Sequence, residues 1–118
     1  MNDKYKTLLI VDDSIVVRKS IVKFLEEYDL KVVGTASNGS AALEMFKKFH
    51  PDFVTLDITM PGLDGFYVLD EMVKLNQACQ IIVITALADK ATGLRAIKSG
   101  AKSVLTKPFG PAREGMPA

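Results

Sequence analysis

The stretch TLLIVDDS, Thr7 to Ser14, sets four apolar residues, Leu8 to Val11, directly against two carboxylates, Asp12 and Asp13. A short apolar run bounded in this way reads as a strand buried on both faces, the kind found in a parallel sheet. Two like charges at its mouth repel each other and lose solvation if partly buried. A positive partner is therefore required there, and the rest of the chain has to supply it.

Further runs of the same type, rich in Val and Ile, occur at 31–36, 53–56, 80–84 and 102–105. Between them the apolar residues recur at helical spacing, at 14–28, 40–49, 64–75 and 88–99. Pro51 stops the second of these helices, and Gly100 suits a C-terminal cap on the fourth. Strand and helix in strict alternation imply right-handed crossovers and a doubly wound α/β fold with a five-stranded parallel sheet.

The bulk composition excludes several classes. The 118 residues suffice for one core and not for two. A net charge of +1 gives no electrostatic case for nucleic acid or an anionic membrane. No apolar run approaches the roughly 18 residues of a membrane span, and MNDKYK does not open a signal peptide. Cys79 is the only cysteine, so neither a disulfide framework nor a cysteine-based metal site is available. A soluble cytoplasmic protein is expected.

In a doubly wound fold, ligand sites lie at the carboxyl ends of the strands. Asp12 and Asp13 end the first run, Asp57 the third and Thr85 the fourth, and Lys107 follows the fifth. Singly, each has an ordinary reading as a cap, turn residue or solvated charge. Together they predict one rim with three carboxylates, a hydroxyl and an ammonium. Three carboxylates in one cleft call for a hard divalent cation held by oxygen, which describes Mg²⁺. A metal, a lysine and a hydroxyl around a carboxylate form a receptor for a phosphoryl group, and a carboxylate can itself carry one as an aspartyl-phosphate.

The blocks VDDS (11–14), TLDITMPGLDG (55–65), VITA (83–86) and LTKPF (105–109) resemble, in order and spacing, the signature of the receiver domain of two-component response regulators. The resemblance covers residues 6–109 and implies the single-domain, chemotaxis type. It implies a flavodoxin-like sheet of strand order 2-1-3-4-5, a receiver domain at 1–109 and a short tail at 110–118. By it, Asp57 is the phosphoacceptor, and Asp13 and Asp57 ligate Mg²⁺ directly. Asp12 acts mainly through a bound water, and the Thr59 carbonyl is the third protein ligand. Thr85 bonds a phosphoryl oxygen, Lys107 pairs with the carboxylate and then the phosphoryl group, and Ala86 leaves the group accessible. Pro108 matches the family's cis position. The implied donor is a phosphohistidine on a histidine kinase or phosphotransfer protein, and some members accept from acetyl phosphate. The output target is a signalling partner that the resemblance does not name.

Two positions depart from the family pattern. Val104 stands where many members have a Tyr or Phe that swings inward, and its short stiff side chain cannot reproduce that movement. After LTKPF, the tail GPAREGMPA has two glycines and two prolines in nine residues, which is incompatible with the usual fifth helix. One face of the sheet is then expected to be bare. A homodimer covering that face is expected ahead of a second protein docking there or of a natural helix lost from this chain.

Other classes fit less well. Haloacid-dehalogenase-like phosphohydrolases, which also form an aspartyl-phosphate, carry a second Asp where this chain has Thr59. No G-x-G-x-x-G or G-x-x-x-x-G-K-[ST] cradle for nucleotide phosphates is present. A phosphorylation-independent interaction module would have no need of the full acidic set. His50, the methionines and the scattered lysines read as packing and solvated surface.

Overall fold

The computed structural model describes residues 6–60, 64–87 and 89–107. Five strands, β1 (Lys6–Val11), β2 (Leu30–Ala36), β3 (Phe53–Asp57), β4 (Gln80–Thr85) and β5 (Ser103–Thr106), alternate with four helices. The helices are α1 (Ile15–Phe24), α2 (Gly39–Phe49), α3 (Gly65–Leu75) and α4 (Lys90–Lys98). All strand pairings are parallel, in the order β2-β1-β3-β4-β5. This is the flavodoxin-like sheet expected from the sequence. The chain direction across the sheet reverses between β1 and β3, and such a switch point opens a crevice at the carboxyl ends of the strands.

Each helix begins on a side-chain cap that satisfies an otherwise orphaned backbone donor. Ser14, Asn38, Asp64 and Asp89 accept from the N–H groups of Val17, Ala41, Phe66 and Tyr67, and Thr92 respectively. Helix α1 stops at Phe24, short of the 28 that the apolar spacing predicts. Glu26 and Glu27 follow at once, and acidic residues at a helix C-terminus oppose its dipole. At the far end of α4, Gly100 takes φ +116°, as the expected cap requires.

The two faces of the sheet are unequal. On one, α2, α3 and α4 bury a cluster that includes Leu9, Val11, Phe46, Val54, Leu56, Leu69, Met72, Ile81 and Val83. On the other, only Leu8, Ile10, Ile21 and Ile84 are buried together, beneath α1. Val104 packs half-buried against the larger cluster. Beside α1 the sheet carries an apolar depression of about 400 Å³ bordered by Leu8, Leu25, Tyr28, Phe53, Thr55 and Ile82. The buried Thr55 hydroxyl there has no hydrogen-bond partner among the described residues. The tail at 110–118, the Pro108 peptide and Gly62 lie outside the described residues. No helix among the described residues is long and apolar enough to cross a membrane.

Candidate phosphoryl and metal site

Three strand ends build the site. Asp57 is the last residue of β3 and Thr85 the last of β4, while Asp12 and Asp13 follow β1 directly. Carboxylate oxygens of Asp12, Asp13 and Asp57 all lie within 4.8 Å of one another. Asp12 and Asp57 are buried, at 0% and 2% exposure, whereas Asp13 is open to solvent. One wall of the cluster is thus dry and the other accessible, as an entering ion and its waters require.

The positive partner demanded by the opening stretch is Lys107, placed just beyond β5. Its Nζ donates to Asp57 Oδ2 at 2.8 Å and pairs with Asp12 Oδ2 at 3.2 Å. The Lys107 backbone N–H also bonds the Thr85 carbonyl at 2.8 Å, which seats the lysine on the end of β4. Burial pulls the Lys107 ammonium down, but its bonds to Asp57 and Asp12 and their charges outweigh this and hold it above its ordinary value. Burial pushes the Asp12 carboxyl up, and the charge of Asp57 adds to this. The Ser14 N–H and Lys107 only partly offset that rise. One lysine therefore does not neutralise the cluster.

The orientation of each carboxylate is fixed locally. Asp12 Oδ1 accepts from the Ser14 N–H at 2.8 Å. Asp57 Oδ1 accepts from both the Thr59 N–H at 2.8 Å and the Thr59 hydroxyl at 2.7 Å. The Thr85 hydroxyl accepts from the Leu87 N–H at 2.9 Å, which leaves its own proton to give. Among the described residues it makes no bond to the carboxylates, so Thr85 shares the rim without touching Asp57. Sequence reasoning missed the Thr59 hydroxyl and missed Arg18, whose Nη1 donates to the Asp12 carbonyl at 2.6 Å.

The residues fit a divalent ion. Asp12 Oδ2 is buried, and among the described residues its 3.2 Å ion pair with Lys107 is its only polar contact. The donors are all hard carboxylate oxygens, and the net charge left by three carboxylates and one lysine is negative.

Comparison with known proteins agrees with this geometry. The family described as response regulator receiver domain matches residues 8–114. The chain is 40% identical over 108 residues to the chemotaxis protein CheY of Thermotoga maritima, covering 92% of this chain and 90% of that protein. The CheX-CheY-BeF3-Mg+2 complex from Borrelia burgdorferi contains a chain that superposes with a TM-score of 0.85 at 31% identity, covering 92% of this chain and 83% of that one. A response regulator protein from Burkholderia pseudomallei, with a phosphorylated aspartic acid, a calcium ion and citrate, superposes with a TM-score of 0.81 at 28% identity. That match covers 92% of this chain and 64% of the other.

Proposed function

Because this chain belongs to the response regulator receiver domain family, we propose that Asp57 accepts a phosphoryl group in a Mg²⁺-dependent reaction and so changes the domain's affinity for a signalling partner. The chain is a phosphoacceptor in two-component signalling, and its chemistry extends only to its own phosphorylation and dephosphorylation. The observation that carries this reading is the bond from Lys107 to Asp57 inside a cluster of three carboxylates.

The reaction follows from the contacts. A carboxylate oxygen of Asp57 attacks phosphorus and forms a P–O bond. The P–N bond to the donor imidazole breaks, and the nitrogen keeps the bonding pair. Thr59 orients the carboxylate through its two donors on Oδ1. Lys107 pairs with the carboxylate before transfer and with a phosphoryl oxygen after it. The Thr85 hydroxyl, held by the Leu87 N–H, donates a hydrogen bond to a phosphoryl oxygen. Asp12, Asp13 and Asp57, with the Thr59 carbonyl, would hold Mg²⁺, which when bound neutralises charge on the phosphoryl oxygens. The Borrelia complex with BeF3 and Mg²⁺, and the Burkholderia protein with a phosphorylated aspartic acid, support both parts of this reading.

The donor in this reading is a histidine kinase or phosphotransfer protein, and the CheY relatives support a chemotaxis setting in the cytoplasm. The receiver unit runs over 1–109, and a second copy of the chain covers the sparsely packed α1 face of the sheet. Intact mass after incubation with Mg²⁺ and acetyl phosphate tests the chemistry. Gain of one phosphoryl group is expected, dependent on Mg²⁺ and lost in Asp57→Asn. Failure with acetyl phosphate and again with a phosphorylated histidine kinase would overturn the proposal.

A further inference from the structure

Arg18 stands one turn into α1, half-buried and beside the acidic cluster. A guanidinium in that position ordinarily pairs with a carboxylate, for which its planar fork is suited. Arg18 makes no salt bridge among the described residues. Its bond goes instead to the carbonyl of Asp12, at 2.6 Å, a charge-assisted contact to a neutral acceptor. That carbonyl belongs to the peptide joining Asp12 to Asp13.

The peptide is held at several points. The Asp12 N–H bonds the Ala36 carbonyl at 2.9 Å, which continues the sheet for one residue past β1. On the far side, Ser14 donates its N–H to Asp12 Oδ1 and accepts the Val17 N–H on its hydroxyl. Arg18 supplies the remaining constraint, on the carbonyl between the two acids. Asp13 is exposed and has no hydrogen bond of its own among the described residues, so the direction of its side chain is set by this backbone.

We propose that Arg18 is a positioning residue for the metal site, fixing the Asp12–Asp13 peptide so that both carboxylates face one ion; this rests on the Mg²⁺ reading above. Groups that orient metal ligands from outside the coordination sphere typically change metal affinity about 10–100-fold. The test is calorimetric titration of Mg²⁺ into the metal-free chain, with no phosphodonor present. Arg18→Gln is expected to weaken Mg²⁺ binding about tenfold, and Arg18→Lys, which keeps one donor, to weaken it less. Lys19→Gln removes the same charge from the neighbouring position without removing the bond, and is expected to leave the affinity unchanged.

A structural role alone would lower the metal-free melting temperature of Arg18→Gln without changing the affinity of the folded chain. Unchanged affinity in Arg18→Gln, or an equal loss in Lys19→Gln, would overturn the inference. Should Arg18→Gln not fold, Arg18→Lys binding more weakly than Lys19→Gln supports it, and equal binding overturns it. Absence of Mg²⁺ binding in the unaltered chain would instead overturn the metal reading, and this inference with it.

Discussion

At Asp12 burial, helped by the charge of Asp57, outweighs the Ser14 N–H and Lys107, so the protonated acid is favoured. The folded chain then binds this proton more tightly than the unfolded chain, so this group's contribution to stability falls as pH rises from 3.8 through the raised value. Asp12→Asn, a neutral isostere, is expected to melt higher than the parent at pH 7 without metal, and the difference is expected to shrink towards pH 4. Saturating Mg²⁺ should reverse the order at pH 7. Melting curves of both proteins at the two pH values, with and without Mg²⁺, check this. The acidic pair was legible in the sequence because an apolar run ending in two carboxylates is an electrostatic anomaly. Arg18 was not, because a bond from a side chain to a carbonyl leaves no pattern of residue types. The Thr59 hydroxyl was hidden for the same reason, although the residue itself was expected at the site through its carbonyl.

Among the elements, α3 has the tightest entry. A Cβ on Gly65, its first residue, would stand 2.4 Å from the Ile58 Cα and 2.7 Å from its carbonyl oxygen. These are backbone atoms next to Asp57 and cannot swing aside. Gly65→Ala is expected to destabilise the fold by about 1–3 kcal/mol, the usual range for overpacking, read from the urea midpoint. The five strands and four helices were legible from periodicity alone, since apolar runs and helical spacing record burial directly. Element ends were less so, because they depend on caps and local charge. Asp89 could be read as part of a helix beginning at 88, yet its side chain caps Thr92 and α4 starts only at Lys90. His50 is exposed at the end of α2, as its place before Pro51 suggests, and it takes the left-handed region at φ 46°. Its N–H bonds the Phe46 carbonyl, which makes it the left-handed cap of the helix, and Pro51 behind it keeps the helix from continuing.

For the molecule as a whole, the two faces of the sheet are unequally covered among the described residues, and the proposed dimer uses the barer one. Ile82, Phe53 and Leu105 lie on the face where only α1 supplies cover among the described residues, and Leu105 is 41% exposed. Sedimentation velocity across a concentration series is expected to show the chain passing from monomer to dimer. Leu105→Ser is expected to shift that transition to higher concentration by about tenfold, on the order of the 1.5 kcal/mol or more carried by one buried leucine. A single monomeric species throughout would show that the face needs no second copy. Chain order has another consequence. The lysine that pairs with Asp57 lies fifty residues downstream of it, just beyond β5, the last strand among the described residues. A chain emerging from the ribosome therefore carries its nucleophile long before it carries the cation that completes the receptor. Only once β5 has paired with β4 does Lys107 reach Asp57, so the receptor is assembled by the last strand pairing described and not by the nucleophile's own strand.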